Sequence, residues 1–577
     1  MRALLPRSVL LVALPLALAS TFAACSSSDD GPTPTAAATT STTSAGTGGA
    51  GGMGTGGSGG EGGMKPDPTA ACAALGLPIR PWTDGPFGTH RGEIADGFTL
   101  ELVDGTTFDL KEQYSGCENY VFMPDKIPVS DADSTSVWEK DNDVEQLLED
   151  SPKNVHYFFI TRQTADDLSA AATTGMQARL DTILAGLAPE DAAHWKSRLH
   201  VAKAEANDLD NWVGDVMGTH GRIGFGIDRE QKIRGVGYLS DVKRYSSALE
   251  QAGSWPWKSN IAYVAHEPQY WNAQFDMTER LANDGATVVD LWTGETLAEF
   301  AETDVTLPDA ATMATFDTFE IEIEMMCPDP DKIEPGNCGA WDYLAYLFVR
   351  DENGVDQQLG RFITSYHRET HWVVDASQML GHLAKGGQQH FKWSFAPPWN
   401  TQPTATRVKL RLSNTGKGMR PSQATSLWTG GALGSTYNDA KLPIDVAIPA
   451  GAKKVELWAI ITGHGAATNY CAEFCNHQHE FTVGGSVYLK EHPEASTEDQ
   501  CIPQLAHGMV PNQPGTWWFG RGGWCPGQQV NPWVVDVTAD VTPGTTATIS
   551  YRGLYKDAVA PDGSGDIDMV SYLVVWE

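Results

Sequence analysis

The sequence predicts a mainly β protein, with paired antiparallel β-sandwiches in its second half and an α/β unit before them. Two observations carry this. From about residue 286 onward, apolar and polar residues alternate with period two in many short segments, separated by Gly, Pro and Asn turns and with no long helix among them. Ahead of that point, short apolar runs alternate instead with helical stretches.

At the start of the chain, Arg2 and Arg7 precede an apolar run from Val9 to Ala19 that is too short to span a bilayer, so residues 1–24 are expected to be a signal peptide. Phe22-Ala23-Ala24-Cys25 resembles a bacterial lipobox, which makes Cys25 the expected lipid-bearing residue, and Ser26 after it points to the outer membrane. The expectation is an exported, outer-membrane-anchored lipoprotein, with plain secretion as the alternative. Residues 25–69 carry the lipidated Cys and a run of Gly, Ser, Thr, Ala and Pro with too few large side chains to offset the entropy of ordering. They are expected to be a flexible tether. No later stretch is apolar enough to cross a bilayer, so any membrane contact is expected through the lipid alone.

Residues 70–285 form the expected α/β unit. Segments 98–103 and 106–110 alternate around Asp104-Gly105, a hairpin signal, and 120–123 and 155–161 are short apolar strands. Val144, Leu147 and Leu148 share a helical face, and Thr164 with Asp167 is expected to cap a helix running towards Leu187. A last hairpin is expected from 222–227 and 232–238, turning at Asp228-Arg229-Glu230-Gln231. This order, with Gly226-Ile227-Asp228-Arg229, resembles the thioredoxin-like fold. Thiol redox chemistry needs a low-pKa Cys at the end of the strand before the first core helix. Tyr120-Val-Phe-Met-Pro-Asp125 leads on without one, so an accessory, non-catalytic domain is expected.

In the β half, Phe319, Ile321, Ile323 and Met325 alternate with Glu320, Glu322 and Glu324, while Val408, Leu410 and Leu412 alternate with Arg407, Lys409 and Arg411. Segments 455–462, 481–483, 486–489, 534–537, 546–551 and 570–576 continue the pattern. The Gly/Ser/Thr-rich stretch 416–434 is expected to join two sandwiches, 286–420 and 421–577.

A formal charge of −33, from 40 basic and 73 acidic residues, repels phosphate backbones and excludes a nucleic-acid partner. Nineteen Trp suit a surface that offers aromatic rings to neutral polar ligands such as sugars. Nine cysteines become eight once Cys25 is set aside, an even number suited to an oxidising compartment. Spacing alone leaves the connectivity open. A zinc site at Cys471 and Cys475 lacks companions at finger spacing. His477 and His479 would point to one face of a strand near His464, a conceivable copper or zinc pair, but surface histidines beside a disulfide are the commoner arrangement and no metal or other cofactor is expected.

Three loops put polar groups beside strands: Cys338-Gly-Ala-Trp341-Asp342, Cys471-Ala-Glu473-Phe-Cys475 and Arg521-Gly-Gly-Trp524-Cys525-Pro-Gly527. Two carboxylates facing one pocket can divide acid and base roles, because each disfavours ionisation of the other. In this order, and with Gly360-Arg361-Phe362-Ile363-Thr364 between the first two, these motifs resemble the peptide-N-glycosidase F family from about Ala286 to the end. The resemblance implies two adjacent eight-stranded jelly rolls with the site between them. It also implies hydrolysis of the amide between an N-glycan GlcNAc and asparagine in an N-linked glycoprotein or glycopeptide, by a monomer without a cofactor. Asp342 takes the place of the primary catalytic carboxylate, Glu473 that of a supporting glutamate acting through water, and Arg521 that of a substrate-binding arginine, with Trp341 and Trp524 beside them. With local loop closure, it pairs Cys327 with Cys338, Cys471 with Cys475 and Cys501 with Cys525, leaving Cys72 for Cys117.

The chain also departs from the family. No Asp or Glu lies between Asp375 and Asp439, where a third acidic residue is usual, and Ser394 is nearest by count. Tyr343 replaces an arginine, and a binding tryptophan is lost at Gly463-His464-Gly465. The alternative to the amidase is a non-catalytic glycan- or protein-binding lipoprotein on the same scaffold.

Overall fold

The computed structural model describes residues 68–577 apart from 126–136, 139–141, 221–223, 236–254, 333, 335, 467–470 and 513–516. The expected signal peptide, Cys25 and nearly all of the tether lie outside the described residues, as do parts of the expected hairpin at 222–238. Among the described residues, no helix is long and apolar enough to cross a membrane.

The α/β region is built on a five-stranded sheet in the order Leu199–Val201, Val155–Ile160, Asn119–Pro124, Phe225–Ile227, Ile233–Gly235. The first three run parallel and the last two antiparallel. Every side chain of Asn119–Pro124 and Val155–Ile160 is buried, because parallel strands covered on both faces have no solvent side to keep polar. The small hairpin Thr99–Glu101 with Thr107–Asp109 forms as expected, and Asp104 Oδ1 accepts from the Thr106 backbone N–H at 2.9 Å to close the turn. The helix Asp166–Gly186 begins one residue later than the expected cap: its N-cap is Ala165, which offers no side-chain acceptor.

A 29-residue helix, Trp255–Asn283, has no counterpart in the expectations from sequence. Ile261–Ala265 are all buried, and Pro268 sits inside the helix, so neither a clean apolar stripe nor an uninterrupted run of helix formers announces it.

The first sandwich packs the sheet Thr370–Asp375, Thr318–Met326, Thr404–Ser413, Thr287–Leu297 against Asp356–Ile363, Leu344–Arg350, Gly386–Ser394, Phe300–Asp309. Its alternating acidic and basic strands lie side by side in register, Glu322 opposite Lys409 and Glu324 opposite Arg407. Arg411 donates to Glu322 at 2.9 Å and to Asp284, just past the end of the long helix, at 2.9 Å. The polar face of this sheet is therefore partly roofed by the α/β region. The second sandwich pairs Pro421–Leu433, Gly565–Trp576, Lys454–His464, Trp533–Asp536 with Ile444–Ala447, Thr546–Tyr555, His477–Val483, Ser486–Lys490. Two sandwiches of eight strands each agree with the expected jelly rolls.

One expectation is overturned here. Most of the supposed join, 416–434, is the 13-residue strand Pro421–Leu433, hydrogen-bonded along Gly565–Trp576. Small polar residues there face a partner strand rather than forming a linker. The sandwiches meet through side chains: Trp458, Ile460, Val570, Tyr572 and Val574 of the second belong to the same apolar cluster as Ile321, Trp372 and Trp393 of the first. That double burial explains why Leu457-Trp-Ala-Ile-Ile461 is an unbroken apolar run.

The four expected disulfides are present, Cys72–Cys117, Cys327–Cys338, Cys471–Cys475 and Cys501–Cys525.

Candidate active site

Asp342 lies between the Cys327–Cys338 bridge and the strand Leu344–Arg350. A single hydroxyl fixes its backbone. Thr364 Oγ1 donates to the Trp341 carbonyl at 2.6 Å and accepts from the Tyr343 N–H at 2.7 Å, so both neighbours of Asp342 are tied to one point on the adjacent strand's end. Gly339 is pressed on Gln402, whose Oε1 also accepts from the Ala340 N–H at 2.6 Å; a Cβ at Gly339 would stand 2.4 Å from that oxygen.

The second sandwich supplies Glu473 and Arg521. Glu473 is the middle one of the three residues enclosed by Cys471–Cys475, and its carbonyl accepts from the Gly522 N–H at 2.6 Å, which splices this loop to the Arg521 turn. Arg521 Nε donates to Glu473 Oε1 at 3.0 Å. Its guanidinium is buried over the Trp524 ring at 4.8 Å and the Phe474 ring at 5.3 Å, and also donates to the Phe519 carbonyl. Trp524 is itself buried, anchored by its indole N–H to the Gly463 carbonyl at 2.8 Å. It therefore supports Arg521 rather than offering a face outward. Trp341, beside Asp342, is 51 % exposed and does offer one.

Electrostatics join the two loops. Burial pushes the Asp342 carboxyl up from 3.8 to about 6, against the pull of the Arg521 cation and a hydrogen bond from Tyr366, while the Glu473 charge pushes it further up. Tyr366 in turn has its phenol raised, by burial and then by the Asp342 charge. The carboxylate of the first sandwich thus feels both charges of the ion pair carried by the second. A group near 6 is ionised at neutral pH yet basic enough to accept a proton, the balance that a general base needs.

Two residues of this neighbourhood were not legible in the sequence. Tyr366 sits in a loop with no motif around it; its backbone N–H donates to Asn512 at 3.1 Å. Asp568 comes from the strand Gly565–Trp576 and accepts a hydrogen bond from the hydroxyl of Tyr346, the strand neighbour of Ser394. Fully buried Arg361, in the Gly360–Thr364 motif, donates to Asp568 Oδ1 at 2.6 Å and to Thr462 at 3.0 Å, riveting the first sandwich to the second. A carboxylate of the second sandwich thus reaches the strand neighbour of Ser394 across the junction.

Residues 433–574 match the family model described as peptide-N-glycosidase F, C terminal. The chain is 25% identical over 291 residues, 45% of its length and 73% of the relative's, to peptide-N(4)-(N-acetyl-beta-D-glucosaminyl)asparagine amidase F of Elizabethkingia miricola. A solved structure of a peptide-N(4)-(N-acetyl-beta-D-glucosaminyl)asparagine amidase aligns at 19% identity and a TM-score of 0.41, over 51% of this chain and 96% of that one. The glycosylasparaginase PNGase F of Flavobacterium meningosepticum aligns at 18% and 0.39, over 51% and 96%. In its motifs, and in the relatives that it matches, the half of this chain from about Ala286 onward resembles the peptide-N-glycosidase F family.

Proposed function

We propose that this protein is an amidase that hydrolyses the bond between the GlcNAc of an N-glycan and its asparagine, on glycoproteins or glycopeptides outside the cytoplasm. The observation that carries it is the electrostatic coupling of Asp342, held at about 6 by burial, to the Arg521–Glu473 ion pair from the other sandwich. At neutral pH the ionised Asp342 takes a proton from water as its oxygen adds to the asparagine side-chain carbonyl. The C–N bond then breaks as Asp342 returns that proton to the departing nitrogen, aspartate remains on the peptide, and the released glycosylamine is hydrolysed by a second water to the free glycan and ammonia. Arg521 cannot drift, because Glu473 and two aromatic rings hold it, so its cation is fixed in advance where negative charge develops on the substrate. Exposed Trp341 suits stacking against a sugar ring. Asp568, one third exposed, suits a sugar hydroxyl. Four disulfides suit an oxidising compartment, in keeping with export to the outer membrane or beyond.

The test is incubation of the whole chain with a denatured N-glycoprotein, followed by peptide mass analysis. Conversion of glycosylated Asn to Asp, with release of the intact glycan, is expected from wild type and not from Asp342→Asn. Glycan binding that is equal in both, with no conversion in either, would establish the binding-protein alternative instead.

A further inference from the structure

Behind the Arg521 turn lies a cluster that the proposed reaction does not use. His477 and His479 are on the strand His477–Val483 and, two residues apart, face the same side. His492 follows the adjacent strand Ser486–Lys490, whose Lys490 pairs with His479. The expectation of surface imidazoles is wrong: all three residues are fully buried. One ring nitrogen from each lies within 4.8 Å of the other two.

The hydrogen bonds around the rings set which nitrogens carry lone pairs. His492 Nδ1 is 3.1 Å from the Glu494 carboxylate, which can only accept, so Nδ1 holds the proton and Nε2 presents a lone pair. That Nε2 is buried with no hydrogen-bond partner. His479 Nδ1 lies 2.7 Å from the Tyr551 hydroxyl, and its Nε2 faces His477 Nδ1 at 2.6 Å. An imidazole whose far nitrogen is held by a carboxylate or hydroxyl, with the near one turned into a cluster, is the arrangement that orients metal-binding histidines. A core histidine serving packing alone would leave the cost of burying the unpaired His492 Nε2 uncompensated.

We infer that His477, His479 and His492 form a binding site for one late first-row transition-metal ion, copper or zinc. Three neutral imidazoles without carboxylate or thiolate suit these ions and not magnesium or calcium. Bonds of about 2.1 Å in a tetrahedral site set ligand nitrogens about 3.4 Å apart. Movements of the rings by about an ångström reach that from the present separations. The site is shaped by glycine: a Cβ at Gly463 or Gly522 would stand 2.3 or 2.5 Å from His477 Nε2, and one at Gly523 2.7 Å from His492 Cε1. The bound ion would stiffen the floor on which the Arg521 turn rests.

The experiment uses the whole chain, purified without chelator and analysed for metal content, then stripped and titrated separately with Zn(II) and with copper. Bound metal per chain after gel filtration and the melting temperature are read in each arm. About one tightly held equivalent of either ion, with a raised melting temperature, is expected, and the arm that gives it identifies the ion. Affinity should fall by about 100-fold or more in His492→Gln and by about 10–100-fold in Glu494→Gln, whose partly exposed side chain keeps a readout should the first variant not fold. The inference is overturned if stripped wild type retains neither ion and melts unchanged, or if both variants bind as tightly as wild type.

Discussion

Replacing Asp342 with Asn should stabilise the protein at alkaline pH while removing its activity. Because the folded-state value of about 6 lies above the ordinary 3.8, the carboxyl takes up a proton on folding, and the chain loses stability as pH rises between those values. By linkage the loss is about 1 kcal/mol at pH 4.5 and about 3 kcal/mol at pH 8. Asn is neutral throughout and still accepts from Tyr366, so the variant escapes this loss. Its unfolding free energy relative to wild type should therefore improve by about 2 kcal/mol between pH 4.5 and pH 8. Urea unfolding followed by tryptophan fluorescence at the two pH values measures this directly, and turnover of a glycopeptide should fall by about a hundredfold or more. A stability difference that is the same at both pH values would refute the claim that Asp342 is held above its ordinary value. Stabilisation with undiminished turnover would refute its role as base.

Wild-type kcat/KM should rise with pH to a plateau, with its acid limb near 6, because only the ionised Asp342 accepts a proton. Glu473→Gln removes a like charge and should move that limb to lower pH; Arg521→Ala removes the cation and should move it up, each seen in a pH–rate profile on residual activity. Tyr366→Phe deletes a hydrogen bond to the carboxylate and should also move the limb up, without altering the Arg521–Glu473 pair. Arg368→Ala strands Glu267 and Glu334 in the interior and should cost about 3–5 kcal/mol, read by urea unfolding.

The strands of both sandwiches were legible because each has one face on its core and alternates accordingly, as with Phe319 to Met325. Where that condition fails, the pattern misleads. Pro421–Leu433 is built of small and polar residues, and it is a strand only because Gly565–Trp576 lies beside it. Trp255–Asn283 is covered on too many sides to show a stripe. The site behaved in the same way. Asp342, Glu473 and Arg521 stand in motifs that local loop chemistry preserves, whereas Tyr366 and Asp568 reach the site through tertiary contacts that no local spacing encodes. His477 and His479 were visible as a pair on a strand, but their burial depends on His492 and on the glycines of another loop.

The wall between the α/β region and the sandwiches has a practical meaning for anyone who cuts this chain. Arg368, in the first sandwich, reaches Glu267 on the long helix and the Pro511 carbonyl in the second. Trp517, Trp518 and the Cys501–Cys525 segment share a core with Val121, Tyr157 and Trp271. A fragment beginning at Ala286 would bare that greasy flank and leave the stretch that leads into Arg521 without its backing. Expression trials should therefore start near Lys65, and poor behaviour of a shorter piece would say nothing against the chemistry of the intact molecule.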